Sequence, residues 1–384
     1  MFVDRFMTAP RRVFAAFAIH AFAMGNLFPR LPAVKEAMGV GEGALGLALI
    51  GAPAGTLVAL TFGAALLDRI GYRRALLVLL PLEALFYALA VHAGRPLTFF
   101  LLLIPAGICV GSVEIVLNVE TDRVEHAAGR RIMNRAHAFW SFGFFGAGLF
   151  GALLGEAGLG PRLHMALVVP VVGLAVLVFL SAFTPAPERH AVAHAAAPRF
   201  ALPSLPILLL VAVTLSAMLL EGASMDWGAI YMRGEFAAGP LVAGLAVAVA
   251  ALSQALARFF ADGFITRFSP AGVSRVLLGI LLAGSLLVVV SPHWLLSLTG
   301  FGLIGVGSSA IFPMAMSAAA QRTDRPAAIN VAALAQFSFM VFLLGPPLLG
   351  LVAESWGIRA SFGVALPLVV LSLATAGALG RRGD

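Results

Sequence analysis

The sequence predicts an all-α integral membrane protein of twelve transmembrane helices arranged as two pseudo-symmetric six-helix bundles. Three observations lead there. Of 384 residues, 61% are hydrophobic and only 11% charged, with a mean hydropathy of +1.00. Soluble domains average about 45–50% apolar and about 25% charged residues. Too little polar side chain remains here to cover a water-facing surface of this size. Secondly, the apolar residues fall into runs that suit helices of about 20 residues crossing about 30 Å of hydrocarbon. Thirdly, the arginines concentrate in alternate connections. This composition excludes a cytosolic enzyme, a nucleic-acid binder and a disordered chain.

Arginine, proline and glycine punctuate the runs in turn. The first, 11–32, follows Arg11-Arg12 and reaches Pro29-Arg30-Leu31-Pro32, while the second, 43–67, stops at Asp68-Arg69. Next come 74–93, between Arg74 and Gly94-Arg95-Pro96, and 97–121, which ends at Asp122-Arg123. Spans 133–157 and 163–184 are separated by Gly158-Leu159-Gly160-Pro161-Arg162. Beyond a linker rich in Ala, His and Pro, 205–232 ends at Arg233 and 239–262 at Asp262-Gly263. The last four are 273–291, 294–319, 327–353 and 359–379, divided by Pro292, Arg322-Arg325-Pro326 and Glu354-Arg359. The expected organisation is a bundle over 1–184, a cytoplasmic linker over 185–203 and a second bundle over 204–384. Arg11, Arg12 and the following Ala21-Phe22-Ala23 resemble a signal peptide, but comparable spans follow throughout, so this segment reads as a retained first helix.

With both termini in the cytoplasm, nineteen of the 25 basic residues fall in inside segments and six, including the single lysine Lys35, fall outside. That asymmetry sets the expected orientation in a bacterial inner membrane and accounts for the net charge of +7 without a nucleic-acid partner. The halves also repeat. Gly46-Leu47-Ala48 returns as Gly244-Leu245-Ala246, Glu156 as Glu354 and Arg69 as Arg267, all at a spacing of 198. A duplicated six-helix unit is the arrangement in which two bundles rock about a site near the bilayer midplane.

The connection after the second span reads Gly63-Ala-Ala-Leu-Leu-Asp68-Arg69-Ile-Gly71-Tyr-Arg73-Arg74. It resembles the cytoplasmic signature of the major facilitator superfamily, with Ala64 in place of the usual glycine. The second half carries Thr266-Arg267-Phe268-Ser269 at the equivalent place and lacks the aspartate, so Arg258 and Asp262, spaced i,i+4, are candidates for an ion pair there. The resemblance covers the whole chain. It implies the twelve-helix fold and a gating role for Asp68, Arg69, Gly71, Arg73, Arg74, Arg258, Asp262 and Arg267. Four further segments resemble a bacterial sugar-permease-like group: Phe28-Pro29-Arg30-Leu31-Pro32, Glu114-x-x-x-Asn118, Asn134-x-x-His137-x-x-Trp140-Ser141 and Glu221-Gly222-x-x-x-Asp226-Trp227. That group often has Asp where this chain has Glu114.

Charge inside a bilayer costs roughly 2.5–3.5 kcal/mol at the helix centre on insertion scales, so intramembrane polar residues need a partner or a wet cavity. Glu114 and Asn118 share a helical face, with nothing cationic near them in sequence, and line a cavity or merely hold helices together. Asn134, His137 and Ser141 form one stripe flanked by Trp140, suited to a polar solute with an apolar edge; His137 is also a candidate relay or a plain packing residue. Glu221 is a candidate coupling or substrate carboxylate. Asp226, beside Trp227, is a candidate partner for Arg30 in an outer gate. Arg30 itself either binds an anion or snorkels to the interface. Glu83 stands isolated in the third span. Asn330, Gln254 and Gln336 either line the second half of the cavity or serve as helix glue, and Gln336 is retained as a site residue.

One cysteine, Cys109, excludes a disulfide framework, and no metal-binding or nucleotide-binding motif is present. The expected function is a monomeric secondary transporter in membrane lipid that moves a small polar organic solute, with protons as the coupling ion and no cofactor. The alternatives are a proton antiporter exporting drugs or metabolites, and an integral-membrane enzyme. The scattered histidines give the enzyme no clustered site.

Overall fold

A computed structural model describes residues 7–129, 132–187 and 201–380, without the side chains of Asp262 and Ala328. Most of the expected linker, and Arg5, Arg130, Arg131, Arg189, Arg199, Arg381 and Arg382 of the orientation count, lie outside the described residues. The first bundle comprises α1 (Ala9–Gly25), α2 (Leu31–Met38), α3 (Glu42–Leu49), α4 (Gly51–Phe62), α5 (Ala64–Ile70), α6 (Tyr72–Ala90), α7 (Pro96–Ala128), α8 (Met133–Glu156) and α9 (Pro161–Leu180). The second comprises α10 (Leu205–Asp226), α11 (Gly228–Phe236), α12 (Pro240–Phe268), α13 (Pro270–Val290), α14 (Trp294–Ser308), α15 (Ile311–Ala320), α16 (Ala327–Trp356), α17 (Ile358–Gly363) and α18 (Leu366–Thr375).

Among the described residues, ten helical stretches are long and apolar enough to cross a membrane. The other two expected spans are α1, at 17 residues, and α6, a 19-residue helix carrying Arg73, Arg74 and Glu83. Several expected single spans are broken. The first ends at Gly25, before a short 3-10 turn at Phe28–Arg30 with Pro29 as its second residue. The second is divided among α3, α4 and α5, and the seventh at Trp227. In contrast, α7 and α12 run past their expected ends to Ala128 and Phe268. Prolines open α7, α9, α12 and α13, where their missing N–H groups cost nothing.

Small residues let these helices approach closely. A Cβ added at Gly107 of α7 would sit 1.9 Å from the Ala52 carbonyl oxygen of α4. Thr56 of α4 donates to the Gly107 carbonyl at 3.1 Å, tying the same pair together. The duplication shows in the backbone too. Gly71, before α6, has φ +84°, and Ser269, 198 positions later and before α13, has φ +74°. Glycine adopts that conformation freely, whereas Ser269 strains, and its hydroxyl caps α13 by accepting from the Gly272 N–H.

The bundles meet most tightly at the end remote from the chain termini. There the Glu354 carboxylate, at the end of α16, accepts from the Gly43 N–H at the start of α3 at 3.1 Å. Glu156, at the end of α8, accepts from the Leu241 N–H at the start of α12 at 3.0 Å. The two contacts are equivalent under the 198-residue repeat, donor for donor and acceptor for acceptor. Each places a carboxylate on the positive end of a helix dipole across the bundle interface. Toward the termini, α4 diverges from α16 although α3 packs along it.

Two outcomes follow from this packing. Gly107→Leu is expected to lower thermal stability in detergent by several kcal/mol, beyond the ~1–3 kcal/mol typical of overpacking, because the atom it meets is the Ala52 backbone carbonyl oxygen. Glu156→Gln with Glu354→Gln removes two charge–dipole contacts worth roughly 0.3–1 kcal/mol each. Labelling of a cysteine at the cleft-lining Ser224 from the remote side is then expected to accelerate up to tenfold; an unchanged rate would show that these caps do not hold that end shut.

Candidate functional site

The most elaborate polar cluster lies where α8 of the first bundle meets α12 of the second. Arg258 of α12 is its centre: Nε donates to the Ser309 carbonyl at 2.8 Å and Nη1 to Ser141 Oγ of α8 at 3.1 Å. Its Nη2 reaches Glu221 Oε1 of α10 at 3.3 Å. Ser141 also donates to Gln254 Oε1 at 3.2 Å, and Gln254 Nε2 donates to Ser308 Oγ of α14 at 3.4 Å. Arg258 and Glu221 remain about one-seventh exposed, at 15% and 14%. A cleft beside them is lined by Phe144, Glu221, Ser224, Gln254 and Ser308. An ion pair with hydroxyl and amide neighbours in an apolar surround can exchange its internal bonds for those of a polar solute.

Two expectations take a different form here. Arg258 engages Glu221 of α10, while the side chain of its expected partner Asp262 lies outside the described residues. Two residues of the expected stripe join the cluster differently. Ser141 bonds directly, whereas His137 packs its ring 5.1 Å from Phe17 within the field of Arg258. Asn134 is exposed, one turn nearer the termini side. Trp140 stacks on Phe144 at 5.2 Å, and its buried Nε1 has no hydrogen-bond partner.

A second cluster lies within the first bundle. His20 Nδ1 of α1 and Glu83 Oε2 of α6 are 2.9 Å apart, both side chains fully buried. Glu114 of α7 is half-buried and close enough for its charge to act on both. The sequence therefore concealed a histidine neighbour for Glu114 and a partner for the isolated Glu83. Asn118 turns back along its own helix and donates to the Glu114 carbonyl at 2.9 Å. Asp226 faces this side from the second bundle, within electrostatic reach of Tyr87.

Several expected site residues lie elsewhere. Arg30 does not pair with Asp226: it is buried, and donates to the carbonyls of Gly151 and Leu159. The break at Phe28–Arg30 thus brings a guanidinium to one carbonyl in the last turns of α8 and to another just beyond its end. Trp227 is fully buried, packed beneath Gly350 of α16. Gln336 does not line the cleft by its oxygen, which accepts from the Ala201 N–H at the end of the linker at 3.0 Å. Asn330 donates to Asp324, which also accepts from Ser204. Those two bonds, Asn330 first, hold the Asp324 carboxyl below its ordinary range in the connection outside the spans.

The signature residues lie together on the termini side. Asp68 accepts from Tyr72 Oη at 2.9 Å, and the Tyr72 ring lies 4.7 Å beneath the Arg123 guanidinium. Arg69, Arg74 and Arg267 are exposed, Arg267 over Phe268, and Arg73 donates to the Ser181 carbonyl at the end of α9 at 2.5 Å. Sequence reasoning missed three residues. His20 and Glu83 each carried a signal, an ionisable side chain in an apolar run, but not their pairing. Glu120, just before Asp122-Arg123 at the end of the fourth expected span, is buried and accepts from the Ala186 N–H at 2.7 Å, anchoring the other end of the linker. Among the described residues, no three His, Cys, Asp or Glu side chains are placed to hold a metal ion.

A family model described as the Major Facilitator Superfamily matches residues 13–225 and 209–382. The chain is 29% identical to an uncharacterized transporter, y4wD, of Sinorhizobium fredii, over 93% of this chain and 94% of that one. It is 27% identical to an uncharacterized MFS-type transporter of Yersinia pestis, over 95% and 94%. Among solved structures, it resembles the nucleoside transporter NupG with a TM-score of 0.69, at 14% identity over 97% of this chain and 98% of that one. The D-xylose–proton symporter gives the same TM-score of 0.69 at 12% identity, over 98% of both chains. At such identities these structures report the fold.

The Arg258–Glu221 contact predicts a non-additive response. Glu221→Leu alone leaves an unpaired guanidinium and is expected to cost about 1–3 kcal/mol in thermal unfolding. Adding Arg258→Leu is expected to restore part of that loss; strictly additive losses would show the pair to be uncoupled.

Proposed function

Because the chain belongs to the major facilitator superfamily, we propose that it is a proton-coupled carrier of a small polar organic solute, working by alternating access. The observation that supports this most strongly is the Arg258 cluster, which joins the bundles through Ser141 and Glu221 beside a cleft. The solute displaces the bonds of Glu221, Gln254 and Ser141, and the apolar edge is met by Phe144 and Trp140. His137, Glu114 and Asp226 complete the substrate and coupling surface. Arg30 and Trp227 brace the remote end, and Asn118, Asn134 and Gln336 support the helices around the path.

The bundles 1–184 and 204–384 act as the rocking units, joined by the linker 185–203. Both termini lie in the cytoplasm of a bacterial cell, and the protein works as a monomer in the inner membrane. In that orientation the tightly packed remote end faces outward. Asp68 with Arg69, Gly71, Arg73 and Arg74 then belongs to the cytoplasmic latch, with Arg267 and Asp262 on the opposing half, and re-forms its contacts when the inner side closes. Proton coupling needs no nucleotide: a 100 mV potential supplies about 2.3 kcal/mol per charge moved.

The reading is tested in proteoliposomes by following lumenal pH as pentoses, hexoses, nucleosides and amino acids are added in turn. Nucleosides and xylose enter the panel because two proteins of the same fold are a nucleoside transporter and a D-xylose–proton symporter. One class is expected to trigger proton movement in the wild type. Glu114→Gln is expected to abolish that movement, and Glu221→Gln to reduce solute counterflow at least tenfold. Counterflow without proton movement, unaffected by either substitution, would leave a uniporter and remove the coupling assignment.

A further inference from the structure

The His20–Glu83 contact joins two groups that a bilayer protein does not bury casually. Both side chains are fully buried, and their second polar atoms, His20 Nε2 and Glu83 Oε1, have no hydrogen-bond partner. Glu114 of α7 is the group whose charge acts on both members of this pair, and Cys109 of α7 and Tyr87 of α6 lie within electrostatic reach of Glu83. No described arginine or lysine does so. Three further titratable groups on α1 and the helices packed against it are committed elsewhere. His164 of α9 contacts Asn26 at 2.9 Å, His137 of α8 packs on Phe17, and Arg12 donates to the Phe179 carbonyl. Asp226, facing Tyr87 from the second bundle, adds negative charge and no cation.

Charge bookkeeping then constrains the cluster. Two carboxylates and one imidazole, fully ionised, carry a net charge of −1, whether the imidazole neutralises Glu83 or Glu114. One additional proton brings the cluster to neutrality, as imidazolium, carboxylate and carboxylic acid. Burial favours the neutral state strongly, since an uncompensated charge in a low-dielectric interior is the most costly arrangement available. Glu114 is the member that retains exposure, while His20 and Glu83 are sealed.

The geometry points to a proton-binding site formed by His20, Glu83 and Glu114, in which Glu114 takes up and releases the proton and the sealed His20–Glu83 pair sets how tightly it is held. This site deepens the coupling reading and rests on it for its role in transport, though not for its ability to bind a proton. His20 and Glu83 are positioning residues: they act through Glu114, the group open to the path. Loading converts a cluster of charge −1 into a neutral one without any further ion. Release is favoured where Glu114 meets water.

Infrared difference spectroscopy of the reconstituted full-length protein tests this directly, following the carbonyl stretch of protonated carboxyl groups across a pH titration. The wild type is expected to show such a band growing as pH falls. Glu114→Gln is expected to remove it. His20→Gln withdraws the imidazolium that favours the ionised carboxylate, so the band should persist to higher pH by at least one unit. A merely structural pair would not move the titration. Glu83→Gln is expected to shift the band in the opposite direction, because one carboxylate fewer competes for the imidazolium. Monodispersity and melting temperature identify any variant that has misfolded, and the conservative His20→Asn then replaces His20→Gln. A band unaltered in Glu114→Gln, or one that ignores both His20→Gln and Glu83→Gln, would overturn the proposal. Solute flux without proton movement, beside the expected infrared shifts, would sink proton coupling while this site stood.

Discussion

Charge is expensive in hydrocarbon, and the structure is organised around that cost. Several of the buried ionisable groups have a counter-charge or a set of carbonyls within reach. His20 meets Glu83, Arg258 meets Glu221 and the Ser309 carbonyl, and Arg30 meets the carbonyls of Gly151 and Leu159. The helices of the bundle are therefore pinned to each other at a handful of polar points within an otherwise non-directional apolar packing. Those points also lie where a carrier would need to bind, couple and switch.

Helix ends provide a second set of contacts with the same logic. Four orphan N–H groups and a partial positive charge stand at each helix start. Glu156 and Glu354 use them across the interface, and Glu125 does so locally, accepting from Ile132 and Met133 at the start of α8 at 3.0 Å each. Because the cross-interface pair repeats under the internal duplication, the remote end closes through two matching contacts. Such contacts are individually weak, which suits an interface that must open and reclose. Small residues such as Gly107 make the opposite contribution: they bring backbones together within one bundle, where little relative movement is needed.

The two polar clusters divide the molecule. That around Arg258 spans both bundles through Ser141 of α8, so relative motion of the bundles necessarily changes it. The one around His20 lies within the first bundle, on α1, α6 and α7, and is carried along when that bundle moves. Glu120 and Gln336 hold the two described ends of the linker, at Ala186 and Ala201, which couples the connection to the helices beside it. One cluster therefore joins the two bundles, and the other belongs to the first bundle alone.

Membrane insertion, helix number and the duplicated organisation were legible in the residues alone. Hydropathy acts locally, about 20 residues at a time, and the repeat at a spacing of 198 survives in single residues such as Glu156 and Glu354. The signature around Asp68 was legible for the same reason, since its residues are neighbours in sequence. Helical spacing also showed that Glu114 and Asn118, or His137 and Ser141, share a face. It could not show what that face meets. Glu83 acquired His20 across 63 positions, Glu221 acquired Arg258 across 37, and Arg30 turned from Asp226 to carbonyls more than a hundred residues away. The rotation of each helix, and therefore the partner of each buried charge, is set by how close neighbouring backbones can come. That depends on small residues on several helices at once, and only the tertiary structure brings them together.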